Sequence, residues 1–172
     1  MIIYLPKRFD LNEWFLILSV MVNIVFALPL PKRFSPALTT LILLLNLYLG
    51  QVCDILIGIL PYDLYDENDS PKYEIFDAVL HFFSYPPVMY MMLHFYDRWN
   101  LKGILLILYI GGFALLIVGL EWLAVLAHVF KYKSWHLSYS FFVYTGVITL
   151  NILFFHLSQY LLRRKKSSED LS

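Results

Sequence analysis

Apolar residues along this chain fall in long unbroken blocks rather than in strand-like alternation, and charge is confined to the intervals between them. No Asp, Glu, Lys or Arg occurs in residues 14–31, 34–53, 78–96, 103–120 or 134–162. A bilayer is crossed by about 20 apolar residues in helical conformation, and each block approaches or exceeds that length. The pattern predicts an all-α fold, an integral membrane bundle of five transmembrane helices at about 12–30, 36–60, 73–96, 101–130 and 135–162. An acidic loop at 61–72 and a basic tail at 163–172 complete a single membrane domain covering residues 1–172.

Helix breakers agree with these limits. Pro29, Pro31 and the Lys32-Arg33 pair stop the first block, and Trp14 is placed to anchor its start at the interface. Pro36 opens the second block, where a first-turn proline costs little, and Pro61 closes it. The segment PYDLYDENDSPKY that follows carries four acids between two prolines and reads as a solvated loop. Pro86-Pro87 removes two backbone donors from the third block, so a kink in mid-membrane is expected there. Gly103, Gly111, Gly112 and Gly119 in the fourth block are small enough to let a neighbouring backbone approach. Asp10 and Glu13 interrupt the basic leader of a signal peptide, so the first block is expected to remain as a span.

Composition narrows the class further. Hydrophobic residues make up 60% of the 172 and charged residues 15%, against about 45–50% and 25% in a soluble domain. A small core cannot hide that excess, which argues against a soluble enzyme and a nucleic-acid binder. The single cysteine, Cys53, excludes an intramolecular disulfide. With five spans the termini face opposite sides. Placing Lys32, Arg33, Arg98, Lys102 and the run Arg163, Arg164, Lys165, Lys166 inside gives the richer basic face, so the C-terminus is expected in the cytoplasm and the N-terminus outside. The same basic run is also a candidate contact for anionic lipid.

Three carboxylates, Asp54, Asp77 and Glu121, fall within the predicted spans, whereas every Lys and Arg lies at or beyond a boundary. An acid in lipid must be protonated, hydrogen-bonded, paired with histidine, bound to a cation or turned to water. At about 1.5 Å per residue from the outer helix ends, Asp54, His81 and Glu121 share one layer roughly 9 to 14 Å deep. Asp77 lies one turn from His81, His128 two turns from Glu121, and His136 continues through Ser140 on the last helix. If these faces converge, Glu121, Asp54, His81, Asp77, His128, His136 and Ser140 form a polar pocket in the outer half of the bundle.

His, Asp and Glu suit zinc or manganese, but no paired His-x-x-x-His or Glu-x-x-His spacing assigns a metal. His81 and His94 stand 13 positions apart on the third block, a spacing that can carry two haems. No matching pair exists on another block, so no cofactor is assigned. Serine and cysteine nucleophiles lack a Gly-rich elbow or an adjacent activating base.

The segment YPPVMYMMLHFYDRW, the pair Glu121-Trp122 and the segment YKSWHLSYS resemble an uncharacterised family of small multi-pass membrane proteins from spore-forming Gram-positive bacteria. The likeness covers about residues 76–160, with Pro86, Glu121, Trp135 and Ser140 as the positions carried over. It implies a helical membrane fold in a bacterial plasma membrane and no reaction. The expected function is a non-enzymatic membrane component whose pocket binds a proton, a cation or a small ligand. The alternative is a structural or accessory subunit with a membrane-protein partner, its polar layer serving as interhelical hydrogen bonds. A membrane-embedded metal-dependent hydrolase is a third reading.

Overall fold

The computed structural model describes residues 4–6, 8–59, 61–68 and 73–169, the side chains of Ile59 and residues 165–169 excepted. Helices form over the charge-free blocks and start where polar side chains can cap them. α1 (Leu11–Ala27) begins after Asp10, whose backbone N–H donates to Glu13 Oε2 at 2.6 Å. α2 (Pro36–Asp54) begins after Ser35, whose Oγ accepts from the Leu38 backbone N–H at 3.2 Å, with Pro36 in the first turn. It runs on into a π-helical turn, Ile55–Ile59. α3 (Ile75–Val79), a second π turn (Leu80–Ser84) and α4 (Tyr85–Trp99) form one helical run. α5 (Ile104–Leu126) and α6 (Leu137–Glu169) follow.

Among the described residues, three helices have the length and apolar character to cross a membrane: Pro36–Gly58, Ile104–Leu126 and Leu137–Arg164. α1 is a shorter apolar helix. The outside of α5 is almost wholly apolar, and of its 23 residues only Ala114, Glu121 and Ala124 are buried. A helix with that distribution belongs in lipid. Gly111, Gly112 and Gly119 face open space, so the expected close approach at these glycines is not made within the chain.

The end of α5 and the acidic loop both differ from expectation. α5 stops at Leu126 rather than continuing to Phe130, because His128 takes a left-handed conformation (φ 62°) that turns the chain. Residues Phe130–Tyr132 then form β2, antiparallel to β1 (Tyr65–Glu67), with Tyr65 opposite Tyr132 and Glu67 opposite Phe130. The predicted solvated loop is therefore folded down onto the bundle across 64–68. Tyr65 and Asn68 are buried, and the Leu64 carbonyl accepts from the N–H groups of Lys133, Ser134 and Trp135. Asp63 and Asp66 stay at the rim, where Lys133 pairs with them at 2.7 and 2.8 Å and has its pKa raised by both. Residues 69–72 of that loop lie outside the described residues. At the far end α6 continues as helix to Glu169, through the basic run expected to form a tail.

The second π turn follows from Pro86-Pro87. Pro87 cannot donate to the Phe83 carbonyl four residues back. Asn23 Nδ2 of α1 takes that carbonyl at 3.3 Å and the Ser84 carbonyl at 3.4 Å, and Ser19 Oγ lies 3.3 Å from Ser84 Oγ. A missing backbone donor thus fastens α1 to the α3–α4 run. α2 and α6 are joined by a reciprocal amide pair, Asn46 to Asn151 at 2.7 Å and Asn151 to Asn46 at 3.0 Å, both residues buried. Arg33 closes the opposite end with two bonds to Asp97 Oδ2, at 2.8 and 2.9 Å.

Packing forms two cores. One centres on Ile42, Met92, Leu93, Ile148 and Phe155, the other on Leu16, Leu80, Ala124 and Val129. His94 is fully buried beside the rings of Phe34 and Phe95, and neither ring nitrogen has a hydrogen-bond partner among the described residues. An unmade buried bond costs about 1 to 3 kcal/mol. His94→Phe, which removes the polar atoms and keeps a ring, is expected to stabilise the protein by about 1 kcal/mol. A rise in thermal midpoint in detergent checks it; a fall would mean that a bond to His94 has been overlooked.

Candidate cation and ligand pocket

Asp54, His81 and Glu67 meet where three irregular pieces of backbone converge. Asp54 is the last residue of α2 before the first π turn, His81 lies within the second, and Glu67 ends β1. π-helical turns shift side chains off the regular α-helical face and concentrate at functional sites. His81 Nε2 stands 2.9 Å from Asp54 Oδ2, and one donor atom from each of Asp54, Glu67 and His81 lies within 4.8 Å of the others.

The histidine is oriented from behind. Its Nδ1 lies 2.6 Å from the backbone carbonyl of Asp77. A carbonyl only accepts, so Nδ1 carries the proton and Nε2 is the nitrogen presented to Asp54. Histidines that bind metals are held by this same outer bond. Tyr73 stacks on the imidazole and Tyr85 meets it edge-on.

Asp54 is held as firmly. Oδ1 accepts from Tyr65 OH at 2.5 Å and Oδ2 from Tyr85 OH at 3.2 Å. Gly50, one turn before Asp54, makes room for this arrangement, since a Cβ there would come within 2.5 Å of the Tyr85 ring. Burial pushes the Glu67 carboxyl well above its usual range, the neighbouring Asp54 and Asp77 push the same way, and Glu67 hydrogen-bonds to Asp54.

Glu121 belongs to a second cluster. Its Oε1 accepts from Tyr132 OH and from Ser140 Oγ, the latter at 2.8 Å. Trp135 Nε1 donates to Ser140 Oγ at 2.9 Å and so fixes the serine. The two clusters face one cavity of about 340 Å³, whose wall includes Asp54, Tyr65 and Tyr85 on one side and Glu121, Tyr132 and Ser140 on the other.

Of the residues singled out in the sequence, the structure brings Asp54 and His81 into contact and places Glu121 and Ser140 on the same cavity. Asp77 stands behind. Its carboxylate accepts from Asn68 Nδ2 and from the Glu74 backbone N–H, and only its carbonyl touches His81. His128 and His136 are exposed and line no part of this cavity. Both fall outside the helices assumed for them, His128 beyond the end of α5 and His136 just before α6. His81 and His94 belong to separate clusters. Glu67, Tyr65 and Tyr132 were missed because they sit in connecting segments. The signal available for Glu67 was its neighbourhood, the pair Asp66-Glu67 between Tyr65 and Asn68 in a loop otherwise suited to water.

Comparison with family models, curated proteins and solved structures finds no match for this chain, so its chemistry is read from these side chains alone.

Proposed function

We propose that this chain is a five-span protein of a bacterial plasma membrane, related to the small multi-pass proteins of spore-forming bacteria that its C-terminal half resembles, and that it binds a cation where Asp54, Glu67 and His81 meet. Three long apolar helices, the shorter apolar α1 and the continuous α3–α4 run are the five helical segments on which that count rests. The π turn before Pro86-Pro87 supports a bend of the third span at that point. On this reading the cytoplasmic side is the one bearing the Arg33–Asp97 pair and the basic run Arg163, Arg164, Lys165, Lys166, which is the candidate contact for anionic lipid.

The observation that carries the cation site is the convergence of three donors, two acidic and one imidazole, around a histidine whose outer nitrogen is already committed. Metal bonds of about 2.0 to 2.2 Å place adjacent ligand atoms some 3 to 4 Å apart, and the three donors here lie within 4.8 Å of one another. Oxygen and imidazole donors favour zinc or manganese over softer ions. Asp54 is tied to His81, to Tyr65 and to Tyr85, an arrangement suited to holding an ion.

Titration of metal-free protein with Zn²⁺ and with Mn²⁺ by calorimetry tests the reading. One ion bound per chain is expected, with affinity reduced at least about tenfold in Glu67→Gln, as second-rank losses at metal sites commonly are. No saturable binding of either ion would overturn it and leave the polar layer as an interhelical fastening, the part an accessory subunit requires.

A further inference from the structure

The cavity has a body and a mouth that the cation cluster does not use. α1 packs on the α3–α4 run, while α5 packs on α6 and β2. Residues of both α1 and α5 nevertheless line the cavity, which therefore occupies the seam between these two helices. Leu18 and Val22 of α1 and Leu120 and Leu123 of α5 belong to its wall and are also 44 to 59% exposed on the outer surface. The mouth thus opens sideways, on the apolar flank that lipid covers, and not toward water.

At the inner end the chemistry is one-sided. Asp54 and Glu121 line the cavity, and no Lys, Arg or His does so among the described residues. Glu121 is 9% exposed, its Oε1 is occupied by Tyr132 and Ser140, and the Tyr144 hydroxyl interacts with the same carboxyl, yet Oε2 has no donor in hydrogen-bonding geometry among the described residues. A buried carboxylate oxygen without a donor is costly, and the ligand that satisfies it must bring a hydrogen-bond donor, of which a cationic N–H forms the stronger, charge-assisted bond. Tyr65, Tyr85, Tyr132, Trp135 and Tyr144 also line the cavity, an aromatic lining of the kind that favours an ammonium group. The rest of the wall is aliphatic and suits a hydrocarbon body, and the volume lies within the range of small-ligand pockets, about 300 to 1,000 Å³.

We propose that the cavity is a binding site for a lipophilic amine, entering from the bilayer through the α1–α5 seam and placing its ammonium group against Glu121. The two sites share Asp54, Tyr65 and Tyr85 as cavity wall, but the ammonium contact is made at Glu121, which belongs to the other cluster. The carboxylate supplies the charge-assisted bond, the tyrosines exclude water around it, and the aliphatic wall takes the chain.

The test uses the full-length protein in phosphatidylcholine nanodiscs, with dodecylamine and dodecanol as probes of equal chain length and protein-free discs as the blank. Dodecylamine is expected to raise the thermal midpoint saturably and dodecanol to do so about tenfold more weakly or not at all, as loss of a charge-assisted hydrogen bond implies. Glu121→Gln is expected to bind dodecylamine about tenfold more weakly while titrating with Zn²⁺ as wild type does. Should Glu121→Gln not fold, Val22→Trp, at an exposed position in the mouth, is expected to block the amine equally. Equal binding of amine and alcohol would overturn the proposal and identify the cavity as a place for any acyl chain. Unchanged amine binding in either variant would overturn it too. Zn²⁺ titration of the wild type reports on the cation site separately, so the two readings fail independently.

Discussion

Asp54→Ala is expected to abolish saturable Zn²⁺ and Mn²⁺ binding and to destabilise the bundle by about 3 kcal/mol, the cost of removing one partner from a buried charged network. The size follows from the number of groups that depend on this carboxylate. Tyr65 and Tyr85 each lose an acceptor, and His81 loses the partner of its Nε2. Glu67 loses the carboxylate it hydrogen-bonds to. These groups come from β1, from the second π turn, and from the start of α4, so the effect extends beyond α2. Denaturation in mixed detergent measures the stability and calorimetry the ion. Asp54→Asn separates the two, because it keeps the shape and one acceptor oxygen while removing the charge. It is expected to retain about half of the lost stability and none of the metal affinity. An Asp54→Ala protein as stable as wild type that still binds zinc would show that Asp54 is neither a ligand nor a fastening.

The sequence made this carboxylate visible because lipid is an unforgiving solvent. Charge was excluded from blocks of bilayer length, so Asp54 and Glu121 stood out, and the helical rise alone put them at His81's depth. Which faces converge could not be read in the same way. Rise per residue fixes depth, but azimuth depends on every turn being α-helical, and the π turns at Ile55–Ile59 and Leu80–Ser84 each shift the register near a key residue. Only the second has a trace in the sequence, in Pro86-Pro87. His128 and His136 were placed by continuing a helical face past the true helix ends, where the chain turns into β2 and back. Glu67 was hidden for the opposite reason. Its strand is three residues long, pairs with a segment more than 60 positions away, and lies in a stretch rich enough in acids and prolines to resemble a water-exposed linker. Non-local pairing of that kind leaves almost no periodic signal.

Gly50 offers a sharper check on how the pocket is built, since it carries no functional group and sits one turn from Asp54. A Cβ at this position would lie 2.5 Å from Tyr85 Cδ2 and 3.5 Å from His81 Cδ2. The ring cannot retreat freely: its hydroxyl is bound to Asp54 and its edge meets the His81 imidazole. Gly50→Leu is therefore expected to cost about 3 kcal/mol, at the upper end of what overpacking imposes, because the gain in helix propensity of about 1 kcal/mol is outweighed by the displaced ring. Cation binding should weaken as well, since moving Tyr85 releases Asp54 Oδ2 and tilts His81. Gly111→Leu is the matched control. It makes the same substitution on α5 where the added Cβ meets nothing within 4 Å, and it is expected to leave metal affinity unchanged and stability equal or higher. Equal stability and equal zinc affinity for Gly50→Leu and Gly111→Leu would mean that Tyr85 does not press against α2, and the geometry assigned to Asp54 and His81 would fall with it.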